Sequence, residues 1–240
     1  MPATASVPIE SVRQTLAAHV LARLNALLIE GVLSPGEKLS LRTVADRLGV
    51  SITPVREAVA RLIADRALEV LPNRAVRVPV MSLQQFHELT AIRLAIEGFA
   101  SERAAQVRTA QDVAAMRRHD VAFRRQCGRR QPDAVAAVRA NAAFHFAVYA
   151  AAGLPTLLPI IEGLWLRIGP VLNLDMRSST ARLVIGGAER CHAELLAAIE
   201  SRRPRAARAA LTRDIGRAAA YIESRGVLPD NGRSTRHALH

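Results

Sequence analysis

The chain has 240 residues, half of them hydrophobic, enough for one large or two modest domains with cores of their own. Its two isolated cysteines, Cys127 and Cys191, argue against a disulfide scaffold or a thiolate zinc site. The formal charge of +12 suits a polyanionic partner, yet residues 1–80 carry only 10 Lys/Arg against 7 acids, so the placement of particular arginines must carry any recognition.

Val12, Leu16, Val20, Leu24, Leu27 and Leu28 recur at helical spacing and predict a first helix over about 11–30, stopped by Gly31. LSPGEKL is a turn by its Pro-Gly pair, and a short second helix follows over 41–48, closed by Gly49. Ser51 or Thr53 can cap a third helix that tolerates Pro54 in its first turn, where the missing N–H has no partner to lose. Val55, Val59, Leu62 and Ile63 form its buried stripe. LEVLPNRAVRVP, residues 68–79, reads as two short strands around a turn. Helix, helix, turn, helix and hairpin is the order of a winged helix-turn-helix.

Beyond it the chain is mainly α. Helices are expected near 82–106, 110–129, 132–151, 155–176, 178–201 and 204–225. The division is a winged-helix domain over 1–80, an all-helical domain over 81–228 and a mobile tail over 229–240. The most apolar long stretch, 153–174, is broken by three prolines, Glu162 and Arg167, so no membrane span is expected. The first residues have no charged-then-apolar leader pattern, and a reducing cytoplasm fits the cysteines.

On the third helix, Thr53, Arg56 and Ala60 share a face opposite Val55, Val59 and Leu62. A hydroxyl, a guanidinium and a small side chain at a helix N-terminus suit the major groove, where the first two can bond phosphates or base edges and Ala60 permits close approach. A solvated face with Arg56 paired to a neighbouring carboxylate is the bland alternative.

In the later helices, polar residues fall where periodicity predicts core. Asn141 and His145 are in phase with Val138, Val148 and Ala152, and His192 with Ala188, Leu195 and Ile199. Asp214 shares a face with Ala207, Leu211, Ala218 and Tyr221, and Arg93 with Leu89, Ile96 and Ala100. Burying five polar groups is costly unless they meet each other or a ligand. Two histidines with two oxygen side chains could hold a divalent cation; an internal network pairing Asp214 with His192 or Arg93 is equally compatible.

From Gly31 to Val78 the chain resembles the N-terminal domain of the GntR family of bacterial transcription regulators. Pro35-Gly36-Glu37, Leu48-Gly49-Val50-Ser51, Thr53-Pro54-Val55-Arg56-Glu57-Ala58 and Leu62 carry the likeness. The resemblance implies that Arg42, Ser51, Thr53 and Arg56 contact DNA and that Asn73 and Arg74 sit in a wing approaching the minor groove. Ile52 stands where the family usually has a DNA-contacting arginine, and Ala75 where the wing usually has glycine.

The second half resembles the FadR-like subfamily's ligand-binding domain, an antiparallel all-helical bundle. Arg93 to Glu97, Phe144-His145, Ala151-Ala152-Gly153, Leu164-Trp165 and the run around His192 carry that likeness. Members often hold a metal through one aspartate and three histidines. Here Asn141 takes the aspartate position and Asp214 the last histidine position, so the implied set is Asn141, His145, His192 and Asp214, with zinc, nickel or manganese as candidates. Arg93 is the implied partner of an effector carboxylate, against a salt bridge to Glu97.

The expectation is a cytoplasmic homodimer that binds a double-stranded operator and represses until a small organic acid binds. The rivals are a metal-dependent hydrolase on the bundle, which would leave the first 80 residues unused, and an architectural DNA binder with no effector.

Overall fold

Short polar side chains set four of the nine described helix starts. Ser40, Ser82, Thr109 and Asp133 each accept the backbone N–H three residues on, and Ser82 and Thr109 complete reciprocal capping boxes with Gln85 and Asp112. In the computed structural model, which describes residues 9–174 and 187–230, these caps open helices close to the expected bounds.

The N-terminal part runs α1 (Ile9–Ile29), β1 (Lys38–Leu39), α2 (Leu41–Leu48), α3 (Ile52–Ala64), β2 (Glu69–Val70) and β3 (Val76–Arg77). The strands form an antiparallel sheet in the order β1-β3-β2, with Lys38 opposite Arg77 and Val70 opposite Val76. Gly49 turns the chain from α2 to α3 at φ 64°, a left-handed conformation that glycine adopts without a side-chain clash. Val20, Leu24 and Leu28 of α1 pack with Val55, Val59 and Leu62 of α3 and with Val76 and Val78 under the hairpin.

In the wing the left-handed residue is Arg74, at φ 64°, one position before Ala75. Asn73 Oδ1 accepts the Ala75 N–H at 3.1 Å and Leu71 accepts the Arg74 N–H, so the turn closes without glycine.

Six further helices follow among the described residues: α4 (Leu83–Val107), α5 (Ala110–Cys127), α6 (Ala134–Ala150), α7 (Leu157–Leu172), α8 (Ala188–Glu200) and α9 (Pro204–Ser224). The helix expected over 178–201 is described from Ala188 onward; 178–186 lie outside the described residues. The helix expected to reach 176 stops at Leu172, where Asn173 breaks helical geometry three residues after Pro170. Pro229, where the tail is expected to start, accepts the Leu83 N–H at 3.0 Å; 231–240 lie outside the described residues.

The two parts interlock. Leu166 of α7 belongs to the same core as α1 and α3. Asn25 donates to Glu162 at 3.0 Å, Arg139 pairs with Glu30 at 2.8 Å, and Asn173 donates to the Ile29 and Gly169 carbonyls at 3.1 Å each.

Candidate nucleic-acid face and buried polar site

The division of α3 follows its sequence period. Val55, Val59 and Leu62 are buried, while Ser51, Thr53, Arg56 and Ala60 are exposed. Arg42 on α2 and Asn73 and Arg74 at the wing tip are exposed as well. All six expected DNA-facing residues are thus open to a partner. Ile52 is also exposed, an apolar side chain at the leading end of the helix.

The second constellation gathers as the periodicity implied. His145 from α6, His192 from α8 and Asp214 from α9 each offer a ligand atom within 4.8 Å of the others. Ligands around one ion at about 2.1 Å lie roughly 3–4 Å apart, so rotations of about 1 Å would close this set. His145 Nε2 and Asp214 Oδ2 already lie 3.2 Å apart. A cavity of about 80 Å³ opens beside them, lined by Arg93, Asn141, Asn173 and Arg217 among others. That volume takes several waters or a small ligand. Asn141 lines this cavity one turn before His145, and His192 sits behind the lining against Phe123 and Phe144.

A chain of hydrogen bonds reaches His145 from outside the cavity. Arg93 donates through Nε and Nη2 to Glu97 at 2.6 and 3.2 Å, and its guanidinium lies over Trp165 at 5.1 Å. The structural salt bridge weighed against an effector role for Arg93 is therefore formed. Burial disfavours the Arg93 charge, but Glu97, with Tyr149 and Asp214, holds its pKa above the usual value. Tyr149 donates its hydroxyl proton to Glu97, and burial followed by the Glu97 charge keeps that hydroxyl protonated. With that proton committed, the Tyr149 oxygen accepts from His145 Nδ1 at 3.2 Å. A ring with a single proton would then carry its lone pair on Nε2, 3.2 Å from Asp214 Oδ2. A lone pair facing a carboxylate calls for a proton or a cation between them.

His192 is the most exposed to consequence because it is the least exposed to water. Its side chain is fully buried and neither ring nitrogen has a hydrogen-bond partner. Burial, only partly countered by Asp214 and reinforced by His145 and Arg124, lowers its pKa to about 3. The unfolded chain therefore binds a proton here below about pH 6.5 that the folded protein refuses. In chelator, stability should fall as pH drops from 6.5 towards 3, by up to about 1.4 kcal/mol per pH unit from this group. Urea midpoints measured across that range should lose this slope in His192→Phe; an unchanged slope would rule the histidine out as its source.

Sequence reasoning passed over two residues of this site. Asp120 on α5 is buried, with one oxygen held by Arg124 at 2.7 Å and the other without a partner. It lies on the same apolar face as Met116 and Phe123, the signal that identified the other four. Tyr149 is one turn after His145 and was legible in the same way. Cys127 and Cys191 take no part as thiolates: burial pushes Cys127 up to about 12 and raises Cys191.

A small three-stranded wing on a helix-turn-helix, docked on an all-helical bundle with a buried polar site, defines the architecture of a bacterial transcription regulator. Residues 16–78 match the gntR family of bacterial regulatory proteins, and residues 88–217 match the FCD domain. The chain belongs to the gntR family and carries an FCD domain, which places it among regulatory proteins and not enzymes. It is 36% identical over 143 residues to the HTH-type transcriptional regulator McbR of Escherichia coli, covering 60% of this chain and 64% of that protein. The HTH-type transcriptional repressor RspR of Escherichia coli is 34% identical over 82 residues, 34% of this chain and 36% of RspR. The solved structure of E. coli McbR/YncC superposes with a TM-score of 0.81 at 29% identity, covering 88% of this chain and 98% of that one. No helix among the described residues is long and apolar enough to cross a membrane.

Proposed function

We propose that the protein is a cytoplasmic homodimeric repressor that grips an operator with α3 and the wing and is released when a small organic acid enters the bundle cavity. The division of α3 carries this reading: Thr53, Arg56 and Ala60 outward, Val55, Val59 and Leu62 inward. Arg42, Ser51, Asn73 and Arg74 extend that face, supplying phosphate and groove contacts. Two-fold pairing of protomers would match a pseudo-palindromic site. With Ile52 in place of an arginine, the operator differs from those of relatives that read DNA with that side chain.

The bundle supplies the sensor. His145, His192 and Asp214 would hold zinc, nickel or manganese, with Asn141 at the edge of the cavity. Such an ion, when bound, would give an effector carboxylate a positive centre. Arg93 lines the cavity with the N–H groups that Glu97 leaves, and Arg217 adds a second guanidinium to the wall. Asn173 connects sensor to reader, because it lines the cavity and also donates to the Ile29 carbonyl at the end of α1. An effector shifts DNA affinity only as far as it distinguishes two placements of α1.

Footprinting on DNA flanking the protein's own gene tests the reader. Arg56→Ala should weaken protection about 10- to 100-fold, the worth of a bidentate groove contact. Undiminished protection would place the helix elsewhere. Thermal melting with and without EDTA, then across a panel of small carboxylic acids, tests the sensor. No shift in either series would leave an architectural DNA binder.

A further inference from the structure

We propose that Asp120 is a positioning residue for His192: by receiving the Nδ1–H of that histidine it fixes the ring with a bare Nε2 turned to His145 and Asp214. The inference rests on reading these three residues as cation ligands. Asp120 Oδ1 and His192 Nδ1 lie 3.8 Å apart. Both residues are buried, and neither atom has a hydrogen-bond partner. Two buried polar atoms without other protein partners, facing each other, satisfy one another at little cost.

The chemistry fixes which nitrogen donates. A carboxylate only accepts, and a neutral imidazole has one donor and one acceptor, so the proton belongs on Nδ1 and the lone pair on Nε2. Asp120 is itself anchored, because Arg124 Nε holds its other oxygen at 2.7 Å and leaves Oδ1 for the interior. Phe144 stacks on His192 with ring centroids 4.2 Å apart, and Phe123 lies at 4.8 Å. These rings oppose tilting and leave in-plane sliding as the easy motion, the one that closes a gap of about 0.8 Å to an ordinary hydrogen bond. His145 is held in the same manner, with Tyr149 accepting its Nδ1–H. Each histidine thus has its proton drawn away from the cavity, the pattern by which outer partners set the tautomer and raise the basicity of a ligating nitrogen.

Two readouts test the assignment on the full-length protein. Nitrogen-15 histidine correlation spectra in chelator report tautomers with no metal present. His192 should be protonated on Nδ1 in the wild type and lose that preference in Asp120→Ala. Co2+ titration followed by visible absorption reports affinity and ligand set separately. Asp120→Ala should bind Co2+ about 10- to 100-fold more weakly with an unchanged spectrum. Asp120→Asn keeps an acceptor oxygen and should recover part of the loss. A wild-type His192 protonated on Nε2 overturns the proposal, as does an Asp120→Ala protein that binds Co2+ normally. A changed spectrum in Asp120→Ala would make Asp120 a ligand and overturn it too. If the wild type takes up no Co2+, the cation reading fails and the positioning role stands or falls on the tautomer.

Discussion

Glu97→Ala should cost about 3–5 kcal/mol of folding stability, the largest loss expected from one polar substitution in this chain. Glu97 is 0% exposed and Arg93 4%, so the guanidinium left behind would have only the small cavity's water in place of a carboxylate. It would retain the face of Trp165 and the charge of Asp214, and Tyr149 would lose the acceptor of its hydroxyl proton. Against a total stability of about 5–15 kcal/mol, a loss of that size removes roughly a fifth or more of what holds the fold. The pair itself need not be stabilising. Two charges withdrawn from water repay their desolvation poorly, so Arg93→Met combined with Glu97→Leu should restore most of the loss. Urea unfolding of the three proteins decides the matter. A cost below about 1 kcal/mol for Glu97→Ala would mean that Arg93 finds water or another anion.

A milder change separates stability from sensing. Glu97→Gln keeps an acceptor for Tyr149 but removes the charge that commits the tyrosine proton. Once free to turn, that proton can go to His145 Nδ1, leaving the histidine's own proton on Nε2 where an ion would bind. The same four residues therefore serve the core and tune the site, which is why so polar a cluster is tolerated at the centre of an alanine-rich bundle.

How much of this was legible in advance follows from which physical signal each residue carries. Helix periodicity is a local signal, and it placed His145, His192, Asp214 and Arg93 on inward faces. Their convergence was inferable because inward-facing polar groups must meet something. Asp120 carried the same signal but sits in a run of charged residues, Arg117 to Arg125, whose solvated faces mask it. The salt bridge from Arg93 to Glu97 was one of two readings that i,i+4 spacing allows, and only the burial of both partners decides between them. The wing turn falls between the two expected strands. Its left-handed residue, Arg74, follows the capping side chain of Asn73, a detail that composition does not reveal. The docking of α1 on α7 had no periodic signature at all. It depends on two glycines and an asparagine whose partners lie more than 100 residues away.

That docking gives the other large effect. Gly169→Ala should destabilise the protein by about 1–3 kcal/mol, although the same change at Gly163, six residues earlier on α7, should stabilise it by up to about 1 kcal/mol. A Cβ at Gly163 meets nothing within 4 Å, so alanine there only improves the helix. A Cβ at Gly169 would stand 2.5 Å from the Leu28 carbonyl oxygen and 2.8 Å from the Ile29 Cα, both backbone atoms that no rotamer can move aside. The helices must part, and the bonds from Asn173 to the Ile29 carbonyl and from Asn25 to Glu162 would stretch with them. Because α1 also supplies Val20, Leu24 and Leu28 to the core beneath α3, its displacement reaches the DNA-facing helix. Calorimetry should therefore show Gly163→Ala melting higher in a single transition and Gly169→Ala melting lower, with its winged-helix part unfolding ahead of the bundle. Should both variants melt together with the wild type, the close approach at Gly169 would not be what ties the reader to the sensor, and the route through Asn173 would lose its mechanical basis.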